Sequence, residues 1–135
     1  MKRGQVSIEF ITVFGFIFLM MIPLIIIFFD QSGNVQDAIA ENHIRNIEIK
    51  ITDKAETVYY SGEPSKATFK AYFPERIESI SINSRRILFG YRRWKGDIST
   101  IEYTSLVNIS GSLSTNPGIH YIEIEAMGEG VSING

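Results

Sequence analysis

The sequence predicts an α+β chain: one long N-terminal helix, apolar and then amphipathic, followed by a small antiparallel β-sheet or sandwich. Three observations carry that expectation. Residues Phe10 to Phe29 form a run of twenty without a charge, broken only by Thr12, Gly15 and Pro23. Beyond it, apolar residues recur at mostly three- and four-residue steps as far as Val58, then switch to a period of two. Strands after a helix, rather than alternating with helices, give α+β. The average composition hides this division, since 44% hydrophobic and 21% charged residues with a net charge of −2 look globular.

Twenty helical residues at about 1.5 Å each span roughly 30 Å, the thickness of a bilayer core. A plain soluble domain is thereby excluded. Lys2 and Arg3 are the basic residues ahead of the run, so the positive-inside rule keeps the N-terminus cytoplasmic and puts the chain after Asp30 outside. A cleaved secretory signal fits poorly, because such signals have apolar regions of about 7–15 residues and a small-residue cleavage site. Here the run ends Phe28-Phe29-Asp30-Gln31-Ser32-Gly33. An uncleaved signal anchor remains open. The absence of cysteine excludes disulfide staples and thiolate metal sites.

Glu9, between Ile8 and Phe10, separates these readings. A carboxylate at the start of a membrane helix is costly and tends to be functional. A plain anchor has no use for it, whereas in an assembly of such helices a neighbour's opposite charge could neutralise it.

Gly4, then Gln5-Val6-Ser7-Ile8-Glu9-Phe10, resembles the class III signal peptide of archaeal type IV pilin-like proteins. These have a short basic leader, a Gln-x-Ser-x-Glu-Phe motif and a long apolar helix. The resemblance covers about thirty residues. It implies cutting by a prepilin peptidase between Gly4 and Gln5, on the cytoplasmic side, with the apolar helix kept on the mature chain. It implies that Glu9, with Phe10 beside it, serves assembly by pairing with the free amine of a neighbouring subunit. The domains are then a leader at 1–4, an apolar membrane or filament-core helix at 5–30, an amphipathic helix at 31–61 and a β-rich head at 66–135. Archaellins fit less well, since their helices open with a glycine-rich, carboxylate-poor stretch that this chain lacks.

Pro23 removes one helical hydrogen bond, which membrane helices tolerate. Gln31-Ser32-Gly33-Asn34 is a weak break. Beyond it Val35, Ile39, Ile44, Ile47, Ile51, Ala55 and Val58 suggest one helix face, with Glu41, Arg45, Glu48, Lys50, Asp53, Lys54 and Glu56 on the other sides. Ile47 to Ile51 also alternates strictly, so a short strand competes there. Gly62 and Pro64 mark the helix stop.

In the head, Ala67, Phe69, Ala71 and Phe73 alternate with polar residues up to Pro74. Pairs at Ile80/Ile82, Ile101/Tyr103, Val107/Ile109, Ile122/Ile124 and Val131/Ile133 continue the pattern, with Ile87-Leu88-Phe89 as another short run. Turn residues fall between them at Asn83-Ser84, Gly90, Lys95-Gly96-Asp97, Gly111, Asn116-Pro117-Gly118 and Gly128-Glu129-Gly130. Six or seven short strands are expected.

The head offers no catalytic set. His120 is its one histidine, Glu123 and Glu125 suit a solvated strand face, and no phosphate loop or metal-ligand spacing occurs. No enzyme and no cofactor are expected. Arg85, Arg86, Arg92, Arg93 and Lys95 cluster around Tyr91 and Trp94, a pattern that can bind nucleic acid or an anionic surface, although a solvated hairpin explains it more simply. Processing would remove Lys2 and Arg3 from 13 basic residues against 15 acidic ones, so no nucleic acid is expected. The cluster could instead meet a neighbour's acidic rod around Asp37, Glu41 and Glu48. Asn108-Ile109-Ser110 is a sequon for an N-linked glycan.

The resemblance implies a structural subunit held in the cell membrane and then assembled into a surface filament. Its partners would be copies of itself or related pilins, the prepilin peptidase and a pilus assembly platform. A minor pilin or pseudopilin of an envelope machine shares the same features. A membrane-anchored extracellular binding domain is the alternative of a different class.

Overall fold

A computed structural model describes residues 7–135 with their side chains. The processing residues Gly4 and Gln5 lie outside the described residues. Helix α1 is bounded at Lys2–Ser61 and contains Pro23. It is followed by β1 (Lys66–Phe73), β2 (Ile77–Asn83), β3 (Arg86–Arg92), β4 (Ile98–Thr104), β5 (Ile109–Ser112), β6 (Gly118–Met127) and β7 (Gly130–Asn134). The fold is α+β, as the change of period predicts. The chain divides into two compact units, residues 1–36 and 37–135.

In the first unit every apolar side chain from Ile8 to Phe29 is exposed. Residues 31–34 do not interrupt the helix. Three aromatic rings stack along one face, with centroids 4.6 Å apart for Phe10–Phe14 and 6.4 Å for Phe14–Phe18. That is the i, i+4 spacing at which helical side chains meet.

The second unit holds the core. Asp37, Ala40, Ile44, Ile47, Glu48, Ile51, Thr52, Ala55 and Val58 form the buried stripe of α1. Val35 and Ile39 do not join it; they are 49% and 54% exposed. The five-residue step from Ile39 to Ile44 explains this. At about 100° per residue it turns the chain roughly 140° off the stripe, whereas steps of three and four hold the face. The strand that competed at Ile47–Ile51 is helix. The helix ends where Gly62, at φ 75°, donates its N–H to the Tyr59 carbonyl at 3.1 Å. Glycine takes that left-handed conformation without a Cβ penalty.

The strands form two sheets, ordered β1-β6-β7-β5 and β2-β3-β4. All pairs are antiparallel except β5–β7, which is parallel. The head is thus mainly antiparallel, as the sequence suggests, with this one parallel pair added. The β6–β7 hairpin closes on a two-residue turn, and β5 then adds to its outer edge from a distant part of the chain. Gly111 makes that pairing possible: it sits at φ 129°, and a Cβ there would collide with the Ile133 carbonyl. The α1 stripe and inner residues of both sheets join in one cluster around Phe73 and Phe89, whose rings meet edge to face at 6.1 Å. Burying a side chain of that size stabilises by about 1.5–3 kcal/mol.

Candidate functional site

The first candidate is the N-terminal part of α1. Glu9 and Phe10 lie on consecutive helical positions and both are exposed. Among the described residues Glu9 has no ion-pair or hydrogen-bond partner. The helix around it is locally satisfied: Thr12 donates its hydroxyl to the Ile8 carbonyl at 2.8 Å. The result is a single carboxylate at the head of an apolar cylinder with its hydrocarbon surface outward. Such a surface is stable only against lipid or against other apolar helices.

The head supplies a second set of charges. Arg92 pairs with Glu78 at 2.8 Å and Arg86 with Glu102 at 3.3 Å, both across neighbouring strands. Arg93 meets Asp97 at 3.2 Å and Asp37 at 3.8 Å. Arg76 joins Asp37 at 2.8 Å, and the Trp94 backbone N–H donates to the same Asp37 oxygen at 2.7 Å. These contacts engage Asp37 within its own chain, and burial removes Glu48 from the acidic face that the sequence offers to a neighbour's basic cluster. Asp37 is nearly buried and serves the cluster of its own chain. Glu41 pairs with Arg45 at 2.9 Å, and Glu48 is buried.

Glu48 has no solvent exposure, and neither carboxylate oxygen has a hydrogen-bond partner among the described residues. Burial pushes its carboxyl from 4.5 up to about 7, against a smaller lowering pull from Arg45. Desolvation outweighs attraction because the carboxylate cannot replace its lost water. Residue type assigns Glu48 to the polar side; its four-residue step from Ile44 and three-residue step to Ile51 was the signal for burial.

Asn108 is exposed and immediately precedes β5. It lines two open clefts of about 650 and 420 Å³, the first with Arg85 and Arg86, the second with Glu129 and Val131. Its side chain accepts a long hydrogen bond from Arg85 and donates one to the Glu129 carbonyl, each 3.4 Å. Both bonds are at the weak end of the range. Ser110, the third sequon residue, turns its hydroxyl to the Val131 carbonyl at 3.4 Å.

His120 is half-buried, stacks on Phe73 with centroids 4.5 Å apart, and places Nε2 2.7 Å from the Asn116 carbonyl. Its contacts are those of a packed residue. Among the described residues no group of three or more His, Asp or Glu side chains could hold a metal ion. Comparison of the chain with protein-family models, with curated proteins and with solved structures finds no match.

Proposed function

We propose that this chain is a structural subunit of an archaeal type IV pilus-like surface filament, processed by a prepilin peptidase between Gly4 and Gln5. One observation carries the reading: a lone carboxylate, Glu9, opens a helix whose apolar side chains stay exposed from Ile8 to Phe29. A helix long and apolar enough to cross a membrane explains the apolar surface. It does not explain the carboxylate. An assembly of helices explains both.

The mechanism follows from the solvents involved. Before assembly the apolar helix rests in lipid and the head lies outside. During assembly the helix leaves lipid for a core of like helices. That transfer exchanges one non-aqueous setting for another and brings little net hydrophobic gain. Packing must then supply the attraction, and Phe10, Phe14 and Phe18 offer large rings on one face for it. Glu9 supplies direction and register, because a buried carboxylate is tolerated only where an opposite charge meets it. The amine created at Gln5 by processing would be that charge. A minor pilin or pseudopilin would use the same chemistry, and abundance in sheared filaments separates it from a major subunit.

The variant Glu9→Gln tests the pairing. It should still lose residues 1–4 and remain in the membrane, yet its filament yield should fall by at least tenfold. Normal filaments from that variant would defeat the mechanism.

A further inference from the structure

We propose that the open cleft beside the β2–β3 turn, lined by Arg85 and Arg86, binds a carboxylated saccharide. The cleft is contained in the head and stands apart from the proposed filament role.

Local chain geometry sets its walls. β2 and β3 pair through Asn83 and Arg86, so they close on the two-residue turn Ser84-Arg85. Ser84 takes φ 57°, a left-handed conformation uncommon for a residue with a Cβ. Backbone hydrogen bonds hold the turn. The Ile109 N–H donates to the Ser84 carbonyl, and the Ser105 N–H donates to the Arg85 carbonyl at 2.7 Å. The turn of one sheet is thereby fixed to the connection between β4 and β5, whose Asn108 lines the same cleft. The enclosed space is about 650 Å³, within the range of small-ligand sites. Walls ordered before binding reduce the entropy lost when a ligand enters.

The lining names the ligand by its chemistry. Arg85 is exposed, and its side-chain partner among the described residues is Asn108, which accepts from Nε at 3.4 Å. That leaves the terminal guanidinium nitrogens for a carboxylate, which they can grip with two parallel hydrogen bonds. Arg86 has one contact to Glu102, at 3.3 Å and in the open; such a pair contributes little and yields to a better partner. Among the described residues that line the cleft there is no carboxylate, so it favours an anion. Ser84, Thr104 and Asn108 add hydroxyl and amide groups that donate and accept. These match the hydroxyls of a sugar, and a phosphate ion would leave most of them idle. Half-buried Leu88 offers apolar surface to the C–H side of a pyranose ring. Such a sugar has two sources: a glycan attached at Asn108 itself, or a saccharide carried by another molecule.

The test is calorimetric titration of a galacturonate trimer into the full chain in a non-ionic detergent. The chain is made in a host without N-glycosylation, and a galactose trimer and inorganic phosphate serve as controls. The expected result is saturable binding of the galacturonate trimer that weakens with salt. Both controls should bind more weakly by about tenfold or more. Arg85→Gln should bring the galacturonate trimer to the level of the galactose trimer without shifting the urea midpoint. Lys70→Gln, which removes an equal charge outside the cleft, should bind as the unaltered chain does. No saturable binding, equal binding of phosphate, or affinity indifferent to Arg85→Gln would each overturn the proposal. Chain from the native membrane separates the two sources. Binding lost there, with a glycan on Asn108, assigns the cleft to the chain's own sugar; binding retained assigns it to a saccharide from outside.

Discussion

Replacing Glu48 by Gln removes an ionisable group from the core while keeping its shape, and the effect on stability is calculable. The Glu48 carboxyl titrates near 4.5 in an unfolded chain and at about 7 in the fold. Between those limits the folded state holds a proton that the unfolded state has released, so stability falls as pH rises through the interval. At about 1.4 kcal/mol per pH unit the loss amounts to about 3 kcal/mol, complete above pH 7. The amide of Glu48→Gln does not ionise and avoids that loss. The two proteins should be nearly equally stable at pH 4.5, and the variant more stable by about 3 kcal/mol at pH 8. Arg45 alters this little, since it already has Glu41 as a partner at 2.9 Å. The assay is urea unfolding of the full chain in a non-ionic detergent from pH 4.5 to 8, followed through Trp94. Every other titrating group is common to both proteins and cancels in the difference. Parallel pH profiles, or a wild-type chain that gains stability relative to Glu48→Gln as pH rises, would refute the burial argument.

Two further expectations follow. Gly111→Ala forces a Cβ onto the Ile133 carbonyl at a backbone angle that favours glycine; it should destabilise the head by more than about 2 kcal/mol, read from the same urea midpoint. Asn108→Gln removes an exposed sequon residue, and in chain taken from its native membrane it should abolish a glycan-sized mass difference without shifting the urea midpoint. An intact mass that changes only by the added methylene would show that Asn108 carries no glycan.

The sequence made the two halves of the molecule legible by different signals. The uncharged run from Phe10 to Phe29 defines the first by length alone. Periodicity defines the second, and the residues from Ile44 to Val58 lie on the buried face as their three- and four-residue steps require. Val35 and Ile39 are apolar yet stand off the buried stripe, because a five-residue step separates Ile39 from Ile44. Glu48 is the opposite case: its charge suits the polar side, but its position falls on the buried stripe. In the head, alternation finds most of the strands, and Asn83-Ser84 and Gly128-Glu129 find hairpin turns, whereas Gly90 and Gly111, expected at turns, lie inside β3 and β5. The parallel β5–β7 pair leaves no local trace, because it joins segments more than twenty residues apart and depends on Gly111 allowing close backbone approach.

Ion pairing was the least legible feature. Five basic residues near Trp94 suit a solvated hairpin, but their partners are hidden in the sequence: Glu78 and Glu102 reach Arg92 and Arg86 from neighbouring strands, while Asp97 from the hairpin turn and Asp37 from the helix reach Arg93. Exposed pairs of this kind contribute little stability, about 0–1 kcal/mol each. Asp37 differs, since it is nearly buried and satisfies both Arg76 and the Trp94 backbone. A composition count cannot see such pairing, because it depends on which strands become neighbours.

The most direct test of the central claim is mass spectrometry of the N-terminal peptide, on chain purified from native membrane and from sheared filament fractions. Processing between Gly4 and Gln5 predicts a peptide beginning at Gln5 in the filament fraction, with Glu9 then the fifth residue of the mature subunit. A peptide beginning at Met1 or Lys2 in every fraction would contradict the account, leaving an anchored ectodomain and Glu9 without the amine it is proposed to meet.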